Sequence, residues 1–159
     1  MRTIIDDFRG PHYFLSNFYP APVALDRAYP TNEHAFHAYK TLVQAERDAI
    51  AAAPLPGDAK RLGRRCTMRP GWESLRVAVM EGILWAKFTQ HEELCQRLLA
   101  TGDAELTEGN TWNDTYWGCV WQDERWVGEN HLGRLLMLTR RDLVDAGINT
   151  YFQKMSGLR

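Results

Sequence analysis

The run from Pro70 to Phe88, PGWESLRVAVMEGILWAKF, constrains this chain more than any other stretch. A proline in a first turn gives up no helical hydrogen bond and brings a φ already suited to a helix. Apolar residues cover most of the circumference of the helix that follows, so it is expected to be the longest in the chain and to lie central and buried. Around it the chain reads as further helices. Thr31 or Asn32 caps one running to about Gln44, a short one covers 46–53 before Pro54, and another starts at Gly57-Asp58 and runs through AKRLGRR. Thr89-x-x-Glu92 reads as a capping box for a helix ending near Thr101-Gly102, and Asn130 caps a last helix closed by Gly147.

Strand signals are short. The first thirty residues mix β-branched and aromatic types with Gly10, Pro11, Pro20 and Pro22, and Cys119 to Val127 alternates about QDE like a hairpin. No strand–helix–strand alternation appears, so a Rossmann reading is disfavoured. The expected class is α+β: a predominantly helical single domain over 1–159 with a few short strands, and residues 148–159 as a flexible C-terminal tail. A chain of 159 residues buries roughly 70% of its unfolded surface without help from disulfides or metal.

A net charge of −1 offers no broad electrostatic case for binding DNA, although a small basic pocket stays open. No apolar run reaches the length of a membrane span, and MRTIIDDFRG lacks the shape of a signal peptide. Cys66, Cys95 and Cys119 are widely spaced with no CxxC, and the histidines form no HExxH. The expectation is a cytoplasmic protein with reduced thiols, no metal and no cofactor.

Five groups of residues stand out. Glu33, His37 and Lys40 share one face of a largely apolar helix; they are either exposed charges or groups turned into a cleft. Lys87 is either a lysine snorkelling at a helix end or a desolvated amine able to act as nucleophile or base. In AKRLGRR, Arg64 or Arg65 either joins a solvated basic face or grips a phosphate. GENHLG, residues 128–133, puts glycines and an asparagine at a helix start, where amides are offered to an anion. NTWNDTYWG, residues 110–118, places Asp114 among Trp112, Tyr116 and Trp117. That is either a packed corner whose aspartate bonds its own backbone or a set of flat rings around a working carboxylate. Together these groups suit a ligand with a planar base, a sugar and a phosphate.

These stretches, in order, resemble a known family. LSNFYP (15–20), PTNEHAFHAYK (30–40), AKRLGRR (59–65), Trp72, Met80 with Lys87-Phe88, TGDAEL (101–106), NDTYWG (113–118) and GENHLGRLLM (128–137) are similar to the YbiA-like N-glycosidases, also called NADAR proteins, from about Phe8 to Arg140. The resemblance implies a compact, mainly helical fold and cleavage of N-glycosidic bonds. The substrates it implies are early phosphoribosylamino-pyrimidine intermediates of riboflavin biosynthesis, a metabolite-repair role, or else ADP-ribosyl-guanine in DNA. A non-catalytic ADP-ribose-binding module is the reading from another class. Carried over by motif, Glu33 and Asp114 are the catalytic carboxylates, and Lys87, or else Lys40, is the amine for a Schiff base with ring-opened ribose. Asn17, Phe18, Arg64, Trp72, Trp117, Gly118, Asn130 and Gly133 shape or bind the ligand. Cys119-Val120 and WQDERW after the WG depart from the acidic or glycine-rich turn often found in relatives, which bears on the base accepted.

Overall fold

The computed structural model describes residues 3–148 and 152. The tail expected over 148–159 therefore falls, apart from Ile148 and Phe152, outside the described residues. The described residues gather into two compact units, one of residues 17–90 and one made of those before 17 with those after 90. Both are predominantly helical with short strands, the class expected from the sequence.

The unit of residues 17–90 opens with a two-stranded antiparallel ribbon, β2 (Val23–Ala24) against β3 (Ala28–Tyr29). Four helices follow: α1 (Asn32–Ala38), α2 (Gln44–Ala51), α3 (Pro56–Gly63) and α4 (Trp72–Gln90). Helix α1 is the hub, touching α2, α3, α4 and β3, and all seven of its residues are buried. Thr31 caps it, its hydroxyl accepting from the His34 amide at 3.4 Å. The helix stops at Ala38, well short of the expected Gln44, because the next residues are used elsewhere. The Lys40 carbonyl accepts from the Arg69 amide at 2.7 Å, Thr41 bridges to Met68, and the Thr41 hydroxyl donates to Glu46.

Helix α4 is the longest, as expected, but it is not buried all round. Met80, Ile83, Leu84 and Phe88 face the core beside α1 and β2, while Leu75 and Trp85 are exposed. Its apolar circumference overstates its burial because its packing partners lie along one side. Each fully buried Leu, Ile or Phe contributes about 1.5–3 kcal/mol, against about 0–1 kcal/mol for a surface ion pair. The apolar face, not the charged rim, therefore fixes the helix.

In the other unit, β1 (Ile4–Ile5) runs parallel to β4 (Glu105–Leu106), and a 3-10 helix covers Gly10–Leu15. A three-stranded sheet joins β5 (Gly109–Asn110), β6 (Cys119–Gln122) and β7 (Arg125–Val127). The expected hairpin is present: β6 and β7 pair antiparallel with Gln122 opposite Arg125, and Asp123 and Glu124 between them take φ of 49° and 59°. Two successive left-handed residues are what a tight hairpin of the favoured twist requires. Helices α5 (Glu92–Ala100) and α6 (His131–Asp145) complete the unit. The capping box at the start of α5 is not formed. The Thr89 hydroxyl donates back to the Trp85 carbonyl at 2.7 Å, and His91 takes the cap position without capping the helix through its side chain.

Candidate active site

Two residues of the unit 17–90, His37 and Lys60, meet one buried carboxylate. Glu33 sits in the first turn of α1 and is 7% exposed. One turn on, His37 Nε2 lies 3.0 Å from Glu33 Oε1. Lys60 of α3 places Nζ 3.8 Å from the same oxygen and 5.7 Å from the centre of the Phe18 ring. Burial pushes the His37 imidazole below its usual pKa, against the opposing pull of Glu33; Lys40 and Lys60 push it further down. The Glu33 face is thus buried, not a set of exposed charges at a helix start.

The LSNFYP stretch supports this carboxylate. The Asn17 carbonyl accepts from the Glu33 amide at 3.1 Å, and its side-chain oxygen accepts from Asn32 Nδ2 at 3.2 Å. Asn17 Nδ2 in turn reaches Met80 Sδ at 3.5 Å. Asn17 therefore holds the start of α1, and with it Glu33, in place. Trp72 is buried beside Phe36, ring centres 5.2 Å apart, and Phe36 lies edge-on to His37 at 5.5 Å.

The two lysines differ. Lys87 is 1% exposed, its ammonium 5.4 Å from the ring centres of Tyr19 and Phe88, so it does not snorkel to solvent. Lys40 is half-buried with Nζ 5.8 Å from the Phe36 ring centre. Burial lowers its pKa, opposed by Cys66 and Glu33 and reinforced by Arg64 and Lys60. Arg64 and Arg65 are exposed. Arg64 follows Lys60 by one turn, so the two share a face of the helix end. Lys60 thus pairs with the carboxylate, Lys40 feels it, and Arg64 adds positive charge beside Lys40.

The remaining expected site residues belong to the other unit, where they make a closed corner. Asp114 Oδ1 accepts from the Tyr116 amide at 3.1 Å and the Trp117 amide at 2.8 Å. Asn110 clasps the same loop, accepting from the Asp114 amide at 3.0 Å and donating to the Asp114 and Cys119 carbonyls. The aspartate thus bonds its own backbone, as a packed corner requires. Trp117 lies edge-on to Tyr116 at 5.1 Å and Trp121 edge-on to Trp126 at 5.2 Å, while Trp112 and Trp121 are 56% and 60% exposed.

The start of α6 departs from the expectation of free amides. The N–H groups of Glu129, Asn130, His131 and Leu132 donate to the carbonyls of Thr115, Gly118, Tyr116 and Trp117, leaving none of the four for an anion. Asn130 takes the cap position with φ of 52° and makes no side-chain cap. Its side chain instead accepts from the Glu108 amide at 3.1 Å and donates to the Leu106 carbonyl at 2.9 Å. A Cβ on Gly133 would fall 2.6 Å from Asn130 Nδ2, and one on Gly118 2.9 Å from Asn110 Nδ2. Both glycines permit close backbone approach.

Among the described residues no group of three His, Cys, Asp or Glu is placed to hold a metal ion, and no helix is long and apolar enough to cross a membrane. His34 is committed to Thr31 and to the Ala53 carbonyl. Reading the sequence missed two residues of the Glu33 site. Lys60 carried only a general basic signal. Gly63 carried a sharper one, since a lone glycine in a helical pattern often marks close packing: a Cβ there would lie 2.6 Å from His37 Cβ and Cγ.

Over residues 6–144 the chain matches the family model described as the NADAR domain. The chain belongs to the NADAR family. It is 43% identical over 131 residues to the N-glycosidase YbiA of Escherichia coli (strain K12), covering 80% of this chain and 79% of that protein. To an N-glycosidase of Nostoc punctiforme it is 34% identical over 141 residues, covering 84% and 86%. A riboflavin biosynthesis protein of Vibrio vulnificus is 36% identical over 135 residues, covering 83% of this chain and 36% of that longer protein. The NMR structure of Escherichia coli YbiA superposes with a TM-score of 0.80 at 38% identity, covering 93% of this chain and 89% of that one. The family expected from the ordered motifs is the family found.

Proposed function

We propose that this NADAR protein is an N-glycosidase that hydrolyses the C1′–N bond of a phosphoribosylated aminopyrimidine. The observation that carries the reading is Glu33: a buried carboxylate, hydrogen-bonded by His37 and 3.8 Å from the Lys60 ammonium, with Phe18 against Lys60, Phe36 against His37 and Trp72 against Phe36. The N-glycosidase names of its relatives and the riboflavin biosynthesis names of others support the reaction and the substrate class.

Breaking a C1′–N bond builds positive charge on the ribose, as in other glycoside cleavage. Glu33 stabilises that charge and takes a proton from the attacking water. The water oxygen bonds C1′ while the bonding pair leaves with the base nitrogen, which gains a proton. The surplus cations hold the phosphate, Arg64 by its two-pronged geometry and Lys60 as a point charge. Phe18, the one of these rings that is not fully buried, contributes about 1–3 kcal/mol by stacking on the base. An amine route also fits: Lys40 attacks C1′ as the base departs, the ribose opens to an imine, and water releases it. Lys40 suits that role better than Lys87 because it is half-buried with a lowered pKa, while Lys87 is enclosed between rings.

The test is a mass-spectrometric hydrolysis assay on wild type and Glu33→Gln with two substrates, the phosphoribosylamino-pyrimidine of riboflavin synthesis and guanine-ADP-ribosylated DNA. Phosphoribose release from the first, lost in Glu33→Gln, is expected. Release from the second alone would overturn the substrate, and full activity of Glu33→Gln would overturn the site.

A further inference from the structure

Glu33 and His37 make the only buried carboxylate–imidazole pair among the described residues, and its geometry says more than that the two groups touch. Both side chains are enclosed, and they sit one turn apart on α1 with Nε2 3.0 Å from Oε1. An ionised carboxylate can only accept, so Nε2 carries the hydrogen. The opposite ring nitrogen, Nδ1, is buried and has no hydrogen-bond partner among the described residues. It lies against Gly63, where a built Cβ would overlap Nδ1 outright and stand 2.6 Å from Cβ and Cγ. A second N–H on that side would meet backbone and find no acceptor, which is costly in a buried place. The ring is therefore held in one tautomer and one charge state by a glycine on the neighbouring helix.

The consequence falls on Glu33. Its Oε1 takes both the His37 hydrogen bond and the nearby Lys60 ammonium. Among the described residues no donor reaches Oε2. The two oxygens are thus divided between an anchored one and an available one.

Resting on the reading of Glu33 as the catalytic carboxylate, we propose that His37, locked by Gly63 as the neutral Nε2–H tautomer, is a positioning residue that anchors Glu33 Oε1 and presents Oε2 to the ribosyl carbon. A neutral donor orients the carboxylate without cancelling the charge it must bring to the sugar. A protonated histidine would form a full ion pair and blunt that charge. The titratable groups that bear on the ring are Glu33 and Lys40 of its own helix and Lys60 of α3.

Two measurements test the inference. First, ¹⁵N NMR of the imidazoles in the intact wild-type protein is expected to show His37 as neutral Nε2–H at pH 7. An Nδ1–H tautomer or an imidazolium would overturn it, whatever the variants do. Second, turnover of the phosphoribosylamino-pyrimidine is compared in His37→Phe, His37→Gln, Gly63→Ala and Glu33→Gln. His37→Phe keeps a flat ring but no donor, and a loosened carboxylate is expected to lower kcat about 10–100-fold with KM nearly unchanged. His37→Gln, whose amide can donate, restores most of kcat, while Gly63→Ala behaves like His37→Phe. Wild-type kcat in His37→Phe, with Glu33→Gln inactive, would overturn the role of His37 alone. So would a His37→Gln as impaired as His37→Phe. An active Glu33→Gln would overturn the catalytic reading and this inference with it.

Discussion

Asp114 separates holding a loop from doing chemistry, and two substitutions tell the roles apart. Its Oδ1 accepts two backbone amides, from Tyr116 at 3.1 Å and Trp117 at 2.8 Å. This is the work of a helix cap, whose loss to alanine costs about 0.5–2 kcal/mol. The amides are partly buried, so water recovers some of the loss, while the acceptor's charge strengthens what is lost. About 1–2 kcal/mol is the reasoned value for Asp114→Ala. In a chain of this size each kcal/mol moves Tm by about 2–4 °C, which predicts a fall of about 2–8 °C. Asp114→Asn keeps the accepting oxygen and is expected to melt within about 2 °C of wild type. Differential scanning calorimetry on the three proteins reads both numbers, and the hydrolysis assay is run on the same samples. If the carboxylate also takes part in the reaction, Asp114→Asn loses turnover while keeping its Tm. Should Asp114→Ala melt with wild type, the loop is not held by this side chain and the reasoning fails.

Borohydride added during turnover is expected to trap a ribose adduct on the peptide carrying Lys40; an adduct on Lys87, or none while hydrolysis proceeds, would rule out the Lys40 imine. His37 also predicts a pH dependence of stability. Its folded pKa lies below the unfolded value of about 6.5, so as pH falls through that value the unfolded chain takes up a proton the folded chain refuses. The contribution is therefore intact above about pH 6.5 and is lost below it, with a slope approaching about 1.4 kcal/mol per pH unit until the folded pKa is reached. Urea denaturation of wild type and His37→Gln between pH 5 and 7 checks this: the slope should be shallower in the variant, and an equal slope would remove His37 as its source.

Much of this protein is written in local sequence. Proline and asparagine or threonine before a helix, the turn at Asp123-Glu124 and the glycine after α6 act over a few residues, so element order and class could be read from the chain. The ordered motifs also carried the family. The i, i+4 spacing that puts Glu33 and His37 on one face is helical geometry and needs no tertiary information.

What the sequence could not decide were the competitions for hydrogen bonds and space. Thr89 and Asn130 are good capping residues, yet each bonds elsewhere, to Trp85 and to Leu106 with Glu108. The amides opening α6 look ready for an anion until the carbonyls of 115–118 fold onto them. Lys87 and Lys40 look alike in sequence, and only packing encloses one while leaving the other half-open. The chain by itself determined which groups are available and in what local geometry. The tertiary structure alone decided which of them are spent on holding the fold, because a donor or a cavity has many suitors in sequence and one in space.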